Sequence, residues 1–193
     1  MSENHAVILA AGMGSRFHSG KYKLLAPVDG IPLIVRTLSA ALSAGFDDVF
    51  AVIGAHADEM RDALKDYPVR IVENNSWQDG QSSSLAAGVR ALPKTSDRVC
   101  LLLGDQPWIR PETIRTLVKE AESHPDDVIV PFFRERRGNP IVVPAALYGT
   151  MLSFSRGDMG GRVFLEKNGY RSVSVEDPGV IRDVDTVEEL ENE

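Results

Sequence analysis

The sequence predicts an α/β fold with a mainly parallel central sheet and a small antiparallel excursion. Three observations carry that expectation. Short apolar runs alternate with segments of helical periodicity through residue 125, the pattern of strands joined by helical crossovers. The run at 98–103, RVCLLL, is nearly all apolar, as a strand buried on both faces must be. Beyond residue 125 two extended runs, 128–133 and 140–143, are joined only by 134–139, too short a link for a crossover helix.

Taken in order, Val7, Ile8, Leu9 and Ala10 read as a buried strand that opens into a loop holding Gly12 and Gly14. Asp29-Gly30 marks a turn, and Pro32 starts a helix, where a missing N–H is harmless. Leu33, Ile34, Leu38, Ala41 and Leu42 give that helix one apolar face, and Gly45 ends it. A strand is expected at 49–53, a helix at 57–64 with Met60 and Leu64 on one side, and a strand at 69–72. The polar stretch ENNSWQDGQSSS, 73–84, leads into a helix with Leu85, Ala86, Val89 and Leu92, which Ser82, Ser83 or Ser84 can cap. The strand at 98–103 ends in Gly104-Asp105-Gln106-Pro107, and Pro111 and Glu112 open a helix buried along Ile114, Leu117 and Val118. The remainder reads as a helix at 145–152, a loop at 154–162, a short helix at 163–167 and strands at 170–175 and 180–184. Thr186 then caps a terminal helix with Glu188 and Glu189 in its first turn.

At 193 residues the chain is long enough for a sizeable core, and 1–193 is read as a single domain. Hydrophobic residues make up 43% and charged residues 25%, with no repeat or low-complexity stretch, so a soluble globular protein is expected. No run of about 18 apolar residues occurs, so no membrane span or membrane partner is expected. The start, MSENHAVILAAG, shows no basic region followed by a separate apolar stretch, and no signal peptide is read. Cys100 is the sole cysteine and lies in an apolar run, which points to a buried thiol and a cytoplasmic location. The net charge of −7 argues against nucleic acid as a partner, so a polyanionic ligand would need a local basic pocket.

The first loop can supply that pocket. Glycine lets backbone N–H groups approach an anion closely, and Ser15, Arg16, Lys21 and Lys23 follow. Arg16 offers a planar fork of donors and a lysine a mobile point charge. Two familiar phosphate motifs fail here. A dinucleotide fingerprint needs a third glycine where Phe17 stands, and a Walker loop needs Ser or Thr after Gly20-Lys21, where Tyr22 stands. The glycines would also serve an ordinary turn, but such turns rarely need three cations.

Ligands of open α/β sheets bind beyond the C-terminal ends of the strands. Asp105 falls there, directly after an apolar strand, where a carboxylate can hold a hard cation beside substrate phosphate. As a cap for the next helix it would stand six residues before Pro111. Asp183 and Asp185 alternate along the expected last strand and so face one side. One of them can supply a second carboxylate, or it caps the terminal helix.

The motifs LAAGMGSR and KLLAPVDGIPLI, followed by NNSWQDGQSSSLAAG, GDQPWI, RGNPIVVP, RGDMGGR and IRDVDTVEEL, together resemble the MobA-like nucleotidyltransferases, and among them the molybdenum cofactor cytidylyltransferases. The resemblance runs over nearly the full chain in order. It implies a Rossmann-like fold of glycosyltransferase-A type and transfer of a nucleoside monophosphate from a nucleoside triphosphate to a phosphate on a pterin cofactor. It implies that Leu9, Ala10, Ala11, Gly12, Gly14, Ser15, Arg16 and Lys23 hold the triphosphate, Arg16, Lys23 and Asp105 being the catalytic set. Lys23 is chosen over Lys21 because Leu24-Leu25 follow it. Mg²⁺, or Mn²⁺ in its place, falls to Asp105 and Asp185, with Asp183 the alternative. Ala11, at the third position of the motif, points to CTP where guanylyltransferases tend to have Gly. Asn75, Gly80, Ser82 and Ser84 are then expected near the nucleoside, and Asn139, Pro140, Asp158, Gly160, Gly161 and Arg162 near a molybdopterin-type acceptor. Asp158 and Arg162 would equally suit a structural pair. The path from Arg16 to Lys23 is longer than the family pattern, and His18 within it reads as a surface residue. A molybdenum hydroxylase is the implied client. Competing expectations are a related transferase using GTP, ATP or another acceptor, and a non-catalytic carrier of the cofactor.

Overall fold

The computed structural model describes residues 2–14, 22–154, 160–186 and 188–191. The chain opens with β1 (Asn4–Ala10), and a 3-10 turn at Lys23–Leu25 follows the glycine loop. A small hairpin, β2 (Pro27–Val28) and β3 (Ile31–Pro32), comes next. Its tip is Asp29-Gly30, with φ of 49° and 78°, the left-handed pair that a two-residue hairpin turn requires. Then come α1 (Leu33–Ala44), β4 (Asp48–Ile53), α2 (Ala57–Leu64) and β5 (Arg70–Glu73). A 3-10 turn at Trp77–Asp79 leads into α3 (Gln81–Ala91), then β6 (Arg98–Leu103) and α4 (Pro111–Ser123). The second half holds β7 (Ile129–Phe133), β8 (Arg136–Arg137), β9 (Ile141–Pro144), α5 (Tyr148–Phe154), α6 (Gly160–Asn168), β10 (Arg171–Ser174) and α7 (Glu188–Glu191).

Among the described residues the main sheet runs β10-β7-β9-β6-β1-β4-β5, with β8 paired to β7. Strands β6, β1, β4 and β5 are mutually parallel, so their C-terminal ends share one edge. β9 is antiparallel to both β6 and β7, and β10 is again parallel to β7. The excursion read from the sequence is therefore the strand β9 inside the sheet together with the β7–β8 hairpin. The fold is mixed α/β with a mostly parallel sheet, as the sequence predicts.

Side-chain alternation splits the core into two layers. Ala6, Ile8 and Ala10 of β1 pack with Ile34 and Leu38 of α1, Met60 of α2 and Ile114 and Leu117 of α4. Val7 of β1 and Val52 of β4 pack on the other face with Leu85 and Val89 of α3, Met151 of α5 and Phe164 of α6. Cys100 is buried in the first layer, as expected. Helix α3 lies so close to β1 that a Cβ on Gly88 would stand 2.5 Å from Val7 Cγ1.

Three local expectations change. Residues 180–184 do not form a strand. Pro178 starts a 3-10 turn, Pro178–Ile181, whose Gly179 N–H the Asp177 carboxylate caps, and an irregular segment follows. Proline removes a ladder donor and fixes φ, and the backbone here bonds loops instead: Asn139 N donates to Val180 O at 2.8 Å and Val184 N to Asp105 O at 3.0 Å. The serines do not cap α3. Gly80 holds the N-cap position, and its φ of 95° with ψ of 177° is a conformation reserved for glycine. The helix expected at 163–167 begins earlier, at Gly160, and Phe154 ends α5, so 154 and 160–162 are helical where a loop is expected. At the terminal helix, Glu189 reaches back to accept from the N–H groups of Asp185 and Thr186 at 2.6 and 3.0 Å. No helix among the described residues is long and apolar enough to cross a membrane.

Candidate active site

A cavity of about 660 Å³ opens beyond the C-terminal ends of β1 and β6. One wall is the first loop, Leu9 to Gly14, with Tyr22 and Lys23 beside it; the opposite wall is Trp77, Gln78, Gly80, Gln81 and Ser84; the floor carries Asp105, Asp183 and Asp185. The walls are built by short backbone contacts. Gly104 N donates to Leu9 O at 3.0 Å and Ala55 N to Ala11 O at 3.1 Å, so the loops after β6 and β4 both dock on the one after β1. A Cβ on Gly54 would meet Ala11 O and Trp77 Cβ, each at 2.8 Å, which leaves room for Trp77 against the loop.

The three aspartates offer carboxylate oxygens that all lie within 4.8 Å of one another. Lys23 is set into this cluster: its Nζ donates to Asp105 Oδ2 at 2.8 Å and Asp185 Oδ1 at 3.0 Å, with 9% of its side chain exposed. Burial works against the Lys23 charge, but attraction and hydrogen bonds from Asp105 and Asp185 outweigh it and raise its pKa. Burial also raises the Asp183 carboxyl above its ordinary value; repulsion from Asp105 and Asp185 adds to this, while its own backbone hydrogen bond and Lys23 oppose it. Three carboxylates against one ammonium leave a formal charge of about −2, and an all-oxygen donor set of this kind suits a hard divalent cation. The ammonium of Lys23 stands where a cation is favoured.

Asp183 and Asp185 owe their position to Asp177 rather than to a strand. Asp177 is 2% exposed. Its Oδ1 accepts from Gly179 N at 2.9 Å, and its Oδ2 accepts from Arg110 N at 3.0 Å and Thr113 Oγ1 at 2.7 Å. One carboxylate thus ties the 178–181 turn to the start of α4. A Cβ on Gly179 would collide with the carbonyl oxygen of Trp108, so the turn lies directly on that backbone.

Of the residues singled out in the sequence, Leu9, Ala10, Ala11, Gly12, Gly14, Lys23, Gly80, Ser84, Asp105 and Asp185 line the cavity together. Asn75 and Ser82 are not among its lining residues. The adjacent Asn74 does the structural work there: it is buried, and its amide donates to Ser83 Oγ at 2.8 Å and Ser84 Oγ at 3.0 Å. Asn139, Pro140, Gly161 and Arg162 also stand outside the lining, and Arg162 pairs with Glu166 at 2.8 Å. Gly160 opens α6. Ser15, Arg16, Lys21, His18 and Asp158 lie outside the described residues. Sequence reasoning missed Tyr22, Trp77, Gln78 and Gln81. Trp77 carried the one usable signal, an aromatic residue inside an otherwise polar run. It also missed a serine–histidine contact, Ser96 Oγ to His5 Nδ1 at 3.1 Å. That pair is buried at the opposite, N-terminal ends of β1 and β6, where Tyr148 OH also meets Ser96 Oγ at 3.2 Å, and it belongs to the packing.

Fold and site define a nucleotidyltransferase, with a glycine-containing loop facing an acidic cluster able to bind a divalent metal. The family model "MobA-like NTP transferase domain" matches residues 6–173, and the chain belongs to that family. The protein named nicotine blue oxidoreductase of Paenarthrobacter nicotinovorans is 33% identical over 191 residues, 95% of this chain and 93% of its own length. The bifunctional protein GlmU of Halorhodospira halophila is 41% identical over 114 residues, 58% of this chain but only 23% of GlmU. Among solved structures, a nucleotidyl transferase from Methanothermobacter superposes with a TM-score of 0.84 at 28% identity, covering 98% of this chain and 94% of that one.

Proposed function

We propose that this chain transfers CMP from CTP to the terminal phosphate of a molybdopterin-type cofactor, releasing pyrophosphate. The observation that most supports the transfer chemistry is the meeting of the first loop, Lys23 and the three aspartates around one cavity. The choice of CTP rests on Ala11, and the choice of acceptor rests on the motif resemblance around 137–140 and 156–162.

In this reading an oxygen of the acceptor phosphate bonds to the α-phosphorus of CTP. The bond from that phosphorus to the α–β bridging oxygen breaks, and its electron pair leaves with pyrophosphate. The attacking phosphate is already anionic at neutral pH, so the reaction requires no general base. Catalysis is then mostly positioning and charge stabilisation. Asp105 and Asp185, with Asp183 beside them, would hold Mg²⁺ or Mn²⁺, which would offset phosphate charge. Loop N–H groups, Lys23 and Arg16 receive the triphosphate and the charge that builds on the leaving group; Gly80 and Ser84 stand on the nucleoside wall. Asn139, Pro140, Gly161 and Arg162, with Asp158 and Gly160, remain the acceptor candidates on the motif resemblance alone. The substrates are small molecules, a molybdenum hydroxylase is the client, and the cytoplasm is the site of action.

A second reading follows from the full-length likeness to a protein named an oxidoreductase. The same cavity would then serve an oxidation–reduction in place of a phosphoryl transfer. Calorimetry with CTP, GTP, ATP, NADH and NADPH, each with and without Mg²⁺, separates the two. Tight, Mg²⁺-dependent binding of CTP alone supports cytidylyl transfer. Preference for GTP or ATP overturns the CTP assignment, and binding of a dinucleotide alone favours the redox reading. Pyrophosphate release from CTP in the presence of the cofactor then separates an enzyme from a carrier.

A further inference from the structure

Tyr22 stands between the glycine loop and the lysine of the acidic cluster, and it is 8% exposed. Its phenol donates to Gly12 O at 2.7 Å and lies 3.2 Å from Ala10 O. Its ring stacks on His56, with centroids 4.2 Å apart and planes at 24°. His56 is itself held by Glu59, Nδ1 to Oε1 at 3.3 Å.

These contacts complete a series. The carbonyl of Leu9 accepts from Gly104 N, that of Ala11 from Ala55 N, and those of Ala10 and Gly12 meet the Tyr22 hydroxyl. All four successive carbonyls are therefore held by the protein. A trans peptide is planar, with its N–H antiparallel to its C=O. Holding the Gly12 carbonyl toward Tyr22 turns the Met13 N–H away from it, and holding the Ala10 carbonyl does the same for the Ala11 N–H. No described residue accepts from the N–H of Gly12 or Met13. The far end of the loop is anchored on the same segment: a Cβ on Gly14 would stand 2.8 Å from Lys23 Cβ.

We infer that Tyr22 is a positioning residue: it sets the peptide planes of the glycine loop so that their N–H groups are aimed as donors for the phosphates of a nucleoside triphosphate. The inference rests on the triphosphate reading of the cavity. It assigns the loop's anion-binding geometry to a phenol donor on a neighbouring turn, with His56 and Glu59 fixing the ring.

The test uses the full chain with Tyr22→Phe, which keeps the ring and removes the hydroxyl. Binding of CTP, CMP and inorganic tripolyphosphate is measured by calorimetry with Mg²⁺, and the amide resonances of Ala11 and Met13, the two peptide planes whose carbonyls meet the phenol, are followed by NMR. One lost hydrogen bond of this kind corresponds to about five- to tenfold in affinity. We expect that loss for CTP and tripolyphosphate, less than about twofold for CMP, and displaced amide resonances at Ala11 and Met13 with the start of β1 unchanged. Equal weakening of CTP and CMP, or no weakening with unchanged resonances, overturns the inference. A wild-type chain that binds no triphosphate sinks the transfer reaction; the Ala11 and Met13 resonances of Tyr22→Phe then still decide whether the phenol orders the loop. His56→Ala, which removes the stack and keeps the hydroxyl, is the second variant should Tyr22→Phe fail to fold, and a smaller change of the same pattern is expected from it. An unchanged pattern there counts against the clamp.

Discussion

Lys23 Nζ lies 2.8 Å from Oδ2 of Asp105, a residue 82 positions further along the chain. The same ammonium is 3.0 Å from Asp185, a further 80 residues on, so one cation joins the first loop, the end of β6 and the last irregular segment.

Asp105→Asn removes one carboxylate charge from the cluster and leaves its size unchanged. Loss of one preorganised electrostatic partner typically costs about 100- to 1,000-fold in rate. Turnover should fall by that order while the melting temperature moves little. Near-wild-type turnover would remove Asp105 from the catalytic set.

Lys23→Met leaves the three carboxylates facing one another without their internal cation. Hydrogen bonds to charged groups contribute about 1.5–3 kcal/mol each, and the cost here should fall in that range. Without divalent ions the variant should melt several degrees below wild type, and added Mg²⁺ should raise its melting temperature more than that of wild type. Thermal melts with and without Mg²⁺ check both statements. If Lys21→Ala alone abolishes turnover instead, the motif has been aligned on the wrong lysine.

Asp183 gives a pH dependence of definite sign. Its carboxyl is raised in the folded protein, chiefly by burial, so the native state holds the proton more tightly than the unfolded chain does. Stability is therefore lost as pH rises from the ordinary carboxylate value through the folded one. Asp183→Asn should be more stable than wild type at neutral pH in the absence of metal, and the difference should vanish in acid below that range. Lys23, also raised, acts at the other end: its contribution is complete at neutral pH and is lost only above the usual lysine range. Urea melts from pH 3 to pH 11 test both.

Gly179→Ala drives a methyl group into the Trp108 carbonyl. Backbone cannot yield as a flexible side chain does, so the 178–181 turn must move, at about 1–3 kcal/mol. Because Asp183 and Asp185 hang from that turn, divalent-ion affinity should fall with the sheet intact, as titration calorimetry and far-UV dichroism would show.

The sheet was legible because its signals are local. RVCLLL is apolar on both faces and became β6, and Pro111-Glu112 opened α4 where a proline is tolerated. The glycine loop and Asp105 were legible for the same reason, since both sit directly after strands. Asp183 and Asp185 were found by a period-two argument for a strand that does not exist; they meet Asp105 because Asp177 and the Asn139–Val180 contact fold an irregular segment onto the site. Tyr22 and Trp77 were hidden because their roles come from partners distant in sequence or from a glycine that makes space, as Gly54 does for Trp77. Asn74 was not named because two adjacent asparagines look alike until burial separates them.

The order of the elements along the chain has a consequence for synthesis. Among the described residues every strand of the main sheet is complete by Ser174, whereas Asp183 and Asp185 follow it. Domains form as units from the N-terminal side while the chain emerges from the ribosome. A nascent chain can therefore hold its described strands and first loop before it owns two of the three acidic groups, and cannot assemble the full acidic cluster until residues 183 and 185 have themselves emerged.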